Sequence, residues 1–125
     1  MKYTVQKLDG RFSYHRYFKY YIGFSHRMSD GQGPLSFTRA QKWFVDTHGW
    51  SAEIRQWADI RSWYTNGIPM MAVKGGWARP LPNLENLPPE CNMNWSWTNG
   101  MDELRIYVKG DAELAFFQLA HQVDQ

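Results

Sequence analysis

Four histidines (His15, His26, His48 and His121) and one cysteine (Cys91) are the side chains from which a metal centre or a nucleophile would have to be drawn. A tetrahedral metal site needs three or four converging ligands. No two of these histidines are four apart, none forms an H-x-H pair, and none stands near Cys91. The chain has no G-x-S-x-G elbow, and Cys91 lies in "PPECNMNW" with no neighbour that would depress its pKa. "VKGGWARP" (73–80) pairs two glycines with two cations but lacks the spacing of a phosphate-cradling loop. Asp46 and Glu53 flank a helix junction, where acidic side chains are ordinary. The pattern points away from an enzyme, and it implies no metal and no cofactor.

What remains is "YHRYFKYYIGFSHR" (14–27), rings interleaved with basic and imidazole groups. Apolar or aromatic residues fill six of the seven even positions from 12 to 24, so period two predicts a strand. Tyr14, Tyr17, Phe18 and Tyr21 also fit helical spacing, but less of the segment obeys it. As a strand it is two-sided. Phe12, Phe18, Ile22 and Phe24 are expected beneath helices, leaving Arg11, His15, Tyr17, Lys19 and Tyr21 as an outward row of rings and cations. Arg105, Tyr107 and Lys109 repeat that chemistry on a later strand. Such a face suits single-stranded RNA or DNA, because rings stack on bases and cations meet phosphates. "YIGF" (21–24) fits the second half of the strand signature of RNA-recognition motifs, whereas residues 17–20 do not fit the first half.

Two other readings stay open. The same face could meet a protein partner, since Trp, Tyr and Arg dominate interface hot spots. It could also be covered by the chain's own residues 68–94, or serve only as favourable cross-strand pairs. A small accessory or regulatory protein, of the kind that a virus or mobile element encodes, fits the size and ring content.

Composition narrows the setting. The chain has 125 residues, with seven Trp, seven Tyr and seven Phe, enough ring area to build a core without disulfides. One cysteine cannot close an intrachain bridge, which suits a reducing, cytoplasmic compartment. Lys2, Tyr3 and Thr4 begin no apolar leader, and no apolar run is long enough to cross a membrane. The net charge of +2 is uneven: residues 1–80 carry twelve Lys/Arg against five Asp/Glu, and residues 81–125 two against seven. That split fits either an anionic partner or two halves that pair with each other.

The elements that must position these residues follow from their punctuation. "KYTVQKL" (2–8) reads as a strand, and Asp9-Gly10 as a tight hairpin turn into the aromatic strand. Residues 25–34 read as a loop. Ser36 is the expected N-cap of a helix with Phe37, Ala40, Trp43 and Phe44 on one face, ended by Gly49. A second helix is expected from a Ser51 cap to Asn66-Gly67, with Ile54, Trp57, Ala58 and Arg61 along one side. Five of the six prolines fall in an irregular segment at 68–94. A second hairpin, 94–98 with 103–110, turns at "NGMD" and faces Leu104, Ile106 and Val108 one way. A last helix is expected with Asp111 as N-cap and a core stripe of Ala112, Phe116, Leu119, Ala120 and Val123, widened by Ala115 and Phe117. Together these predict an α+β fold spanning 1–125 as one domain: a two-layer antiparallel sheet of two hairpins with helices packed on one face, with a ferredoxin-like arrangement as one candidate.

Overall fold

The computed structural model describes residues 2–10, 17–25, 32–66, 88–100 and 103–121, with the backbone alone at Gln32, 63–66 and Glu103. Four strands, β1 (Thr4–Lys7), β2 (Tyr20–Phe24), β3 (Trp95–Gly100) and β4 (Glu103–Val108), form one antiparallel sheet in the order β1-β2-β4-β3. Three helices pack on it: α1 (Gln32–His48), α2 (Ile54–Asn66) and α3 (Asp111–Ala120). The fold is α+β and both hairpins are present. Among the described residues the element order, two strands, two helices, two strands and a helix, differs from the β-α-β-β-α-β of a ferredoxin-like domain.

Parity in the strands decides which residues are buried together. Ile22, Phe24, Leu104, Ile106, Val108 and Trp95 share one sheet face with Tyr3. Phe37, Ala40 and Phe44 of α1 and Leu114 and Phe117 of α3 close over them. Phe44 stacks on both Trp95 and Phe117, at 5.3 and 5.4 Å between centroids. On the opposite face Tyr107 joins Phe18, Ala52, Ile54, Trp57, Ile60 and Cys91 in a second core. Helix α2 therefore covers part of the face opposite α1 and α3.

The chain changes faces around the edge of β3. Gly49, at φ +91°, stops α1 in the left-handed region that favours glycine. Residues 49–53 then run beside β3. The indole N–H groups of Trp95 and Trp97 donate to the carbonyls of Gly49 (2.8 Å) and Ser51 (2.9 Å). The buried Ser96 hydroxyl donates to that of Ala52 (2.8 Å), and Glu53 forms a parallel bridge with Trp97. An exposed sheet edge is thereby covered.

Several local expectations shift. Pairing of β1 with β2 starts at Lys7 and Tyr20, so residues 8–19 connect these strands in place of a two-residue turn at Asp9-Gly10. Residues 17–19 are outside β2, parity is lost there, and Phe18 turns into the second core rather than under α1. Helix α1 begins at Gln32, four residues before Ser36; Pro34 sits in its first turn, where a missing N–H costs no hydrogen bond. Ser51 is buried with its hydroxyl directed to the Glu90 carbonyl, and the carboxylate of Glu53 accepts the Arg55 N–H at 3.1 Å. Gly110, not Asp111, is the N-cap of α3. The buried side of α3 is Leu114 and Phe117, while Phe116 is 51% and Leu119 80% exposed. A helix apolar on every side offers periodicity no face to choose; contact with Phe44 and Tyr3 chooses it. Val123 and the segment 68–87 lie outside the described residues.

Trp57 is the centre of the second core. It is fully buried, packs on Phe18 and Tyr17 (4.8 and 5.1 Å between centroids), and donates its indole N–H to the Asn92 carbonyl at 2.7 Å. Trp57→Ala is expected to cost about 3–5 kcal/mol. Trp57→Phe keeps a ring but strands that carbonyl, at about 1–3 kcal/mol. Urea unfolding measures both; a Trp57→Ala loss below about 1 kcal/mol would contradict a core role.

Candidate functional site

Helix α2 covers the second sheet face unevenly. Tyr107, Ser96 and Thr98 are buried beneath or beside it. Towards β1 lies a cavity of about 380 Å³, lined by Lys2, Thr4, Tyr21, Gly23, Ser25 and Arg105 together with Tyr3, Phe24 and Leu104 of the first core. Thr4, Gly23 and Arg105 are direct cross-strand partners on three adjacent strands. None of the described residues lining the cavity is acidic, and Lys2 and Arg105 are the charged ones among them.

Gly23 makes room for this geometry. A Cβ there would come 3.0 Å from the Thr4 hydroxyl and 3.4 Å from the Tyr21 ring. A glycine inside a strand marks a close approach of another group. Tyr21 is held from several sides: its hydroxyl donates to the Gln6 side-chain carbonyl, the Arg105 guanidinium lies over its ring at 4.2 Å, and Tyr107 packs at 6.3 Å. Such a cation–ring contact is favourable in itself.

The expected outward row is divided by the fold. Tyr21 and Arg105 come together at the cavity. Tyr107 lies on the expected face but is 1% exposed, because α2 and Cys91 close over it. Tyr17 is half-buried against Trp57, with the Arg61 guanidinium over its ring at 4.9 Å. Lys19 reaches across to α3, where Asp111 accepts its ammonium at 2.9 Å and the Tyr20 hydroxyl at 2.6 Å. Those bonds hold the Asp111 carboxyl below its ordinary range, Tyr20's hydrogen bond being the largest cause, and raise Lys19 and Tyr20. Lys109 is exposed, and Arg11 and His15 lie outside the described residues. Sequence reasoning missed Lys2, Thr4, Gln6, Gly23 and Ser25. The alternation of Thr4 and Gln6 with Tyr3 and Val5, and the lone Gly23 in an aromatic strand, were the signals that point to them.

The remaining candidates for chemistry are placed as follows. Cys91 is 3% exposed, its thiol directed at the Trp57 carbonyl, and burial pushes its pKa up to about 11. His48 and His121 flank Trp43 at the ends of α1 and α3. His48 Nε2 and His121 Nδ1 are buried without a hydrogen-bonding partner among the described residues. Burial lowers the pKa of His48, with Glu113 opposing. No group of three His, Cys, Asp or Glu among the described residues could hold a metal ion. No described helix is long and apolar enough to cross a membrane.

Two outcomes follow from these environments. Cys91 should react with a disulfide reagent only as fast as the native state opens, because thiolate and access are both suppressed; a burst of labelling in native buffer would contradict this. The unfolded chain takes up a proton at His48 near pH 6.5, whereas the folded one resists it until lower pH. Stability should therefore fall as pH drops below that value, and His48→Phe, which keeps the stack on Phe44, should flatten the decline in urea midpoint. An unchanged slope would assign the decline to other groups. No protein-family model, curated protein or solved structure matches this chain, so the residues themselves carry its functional reading.

Proposed function

We propose that this is a non-enzymatic accessory protein that binds single-stranded RNA or DNA at the open corner of its sheet. The observation that supports it best is the Tyr21–Arg105 stack in a cavity whose described lining is basic and free of carboxylates. Bases stack on phenol rings and on guanidinium planes, and cations beside them take the phosphates. Ring and guanidinium are already held in place by Gln6 and by each other, which lowers the ordering cost of binding.

A second reading, a protein-binding module, is favoured by one feature. The outer side of α3 exposes Phe116 and Leu119 next to Ala112, Ala115 and Ala120, an apolar surface of the kind that marks interfaces.

Fluorescence anisotropy with a labelled single-stranded oligonucleotide of about 12 residues tests the first reading. Binding should be strongest at low salt, with a log–log slope of about −0.7 for each phosphate neutralised. Tyr21→Ala should weaken it by the loss of about 1–3 kcal/mol of stacking. Arg105→Ala should weaken it and flatten the slope by about 0.7. Lys19→Ala should change little, because that ammonium is committed to Asp111. No anisotropy change at low salt with folded protein would end the proposal. Binding that vanishes with Leu119→Glu rather than Arg105→Ala would move the site to α3.

A further inference from the structure

We propose that the free edge of β1 docks an extended acidic peptide of a partner protein, which joins the sheet as a further antiparallel strand. This goes beyond the nucleic-acid reading and does not rest on it, because it uses the main chain of β1 rather than the Tyr21–Arg105 contact. The sheet has two edges, β1 and β3. That of β3 is occupied by the chain itself, through the bonds from Trp95, Ser96 and Trp97 and the bridge at Glu53. Among the described residues β1 is paired on one side, with β2, and its Thr4, Gln6 and Lys7 are exposed.

Register shows which main-chain groups are on offer. One step beyond the Lys7–Tyr20 pair, the Leu8 N–H donates to the Lys19 carbonyl at 2.9 Å. Hydrogen bonding alternates along an antiparallel pair, so Thr4, Gln6 and Leu8 turn their main-chain groups to β2, and Val5 and Lys7 turn theirs outward. Those outward groups have no hydrogen-bond partner among the described residues. A strand added there pairs with them by strand addition. Its side chains opposite Val5 and Lys7 fall on the face of the first core, against which Val5 is packed.

Charge selects the occupant. Residues 2–8 include Lys2 and Lys7 and no acidic residue, and both lysines are exposed. Asp111, the carboxylate on which Lys7 also acts, is already bonded to Lys19 and Tyr20. Lysine on an edge strand discourages pairing with a second copy of the same edge. The same charge attracts a carboxylate on the neighbouring strand. The strand that fits therefore carries an acidic residue opposite Lys7, an apolar one opposite Val5 and a second acidic residue towards Lys2.

A labelled peptide containing Glu-Thr-Val-Thr-Val-Glu has this pattern, and fluorescence anisotropy with amide hydrogen exchange tests its binding. It should bind about tenfold more tightly than the same peptide with lysines for glutamates, and more weakly as salt rises. The Val5 and Lys7 amides should exchange at least about tenfold more slowly in the complex, and those of Gln6 and Leu8, turned to β2, should change less. Lys7→Gln should weaken binding about two- to fivefold through charge alone. Lys7→Pro, which also removes an outward N–H that the sheet does not use, should weaken it about tenfold or more. If Lys7→Pro does not fold, N-methylation of the peptide's valines removes the facing donors with the protein unaltered, and should abolish binding. Absence of acidic-peptide binding at low salt, or binding that leaves exchange at Val5 and Lys7 unchanged, overturns the proposal. Equal binding of the lysine peptide does the same. A dimer in sedimentation equilibrium without peptide, with those two amides protected, gives the edge to a second copy and also overturns it.

Discussion

The indole N–H groups of Trp95 and Trp97 donate to carbonyls of the segment 49–53, and the placement of everything on the second sheet face depends on those bonds. A chain leaving α1 has unsatisfied carbonyls at its end. Asn92 donates to the carbonyl of His48, and the two tryptophans and Ser96 take those of Gly49, Ser51 and Ala52. The connector is thus satisfied along the edge of β3 and delivers α2 to the face opposite α1. Without this route around the edge, both helices would compete for one apolar face and Tyr107 would face solvent.

The position of α2 then divides the second face into a dry part and an open part. Trp57 and Ile54 pack where β3 and β4 meet, and this packing removes Tyr107 from water. Among the described residues, the β1 side is left with small or polar groups, Thr4, Gly23 and Gln6, beside the ring of Tyr21. Charge follows the same division. Lys19 is drawn to Asp111 at the start of α3, a bond between the basic N-terminal part of the chain and its acidic C-terminal part. Part of the uneven charge is therefore used inside the fold. Arg105 and Lys2 are the charged residues among those described that line the cavity.

The α+β class, both hairpins and all three helices were legible because period two and period 3.6 rarely coincide over a whole element. Leu104, Ile106 and Val108 alternate cleanly, and the buried face of β4 follows from that alone. The helix α3 was legible as an element but not as a face, since Phe116, Phe117 and Leu119 give nearly every side an apolar residue. Start signals misled where side chains had tertiary partners: Ser51 resembles a cap in sequence but is buried against the connection around Glu90. Of the candidate site, Tyr21 and Arg105 were legible from parity. The loss of Tyr107 was not, because burial of an outward-facing residue is decided by an element that comes from elsewhere in the chain, here α2. Lys2 carries no sequence signal, and the lone Gly23 marks a close approach whose partner, Thr4, is fixed only when β1 and β2 are side by side.

A half-covered sheet face has a physical consequence for recognition. An open row of rings and cations binds by summing many weak contacts, each exposed to water and screened by salt. A ring seated against a dry core is placed differently. Tyr21 is packed on Tyr107 and tied to Gln6, so its ring does not have to be ordered when a ligand arrives. The Arg105 guanidinium, 4.2 Å from the centre of that ring, is a planar, delocalised cation rather than a compact point charge. Tyr107, which leaves solvent for the second core, is thus a packed neighbour of the Tyr21 ring. Burial of Tyr107 thus withdraws one ring from the outward face and gives Tyr21 a packed neighbour.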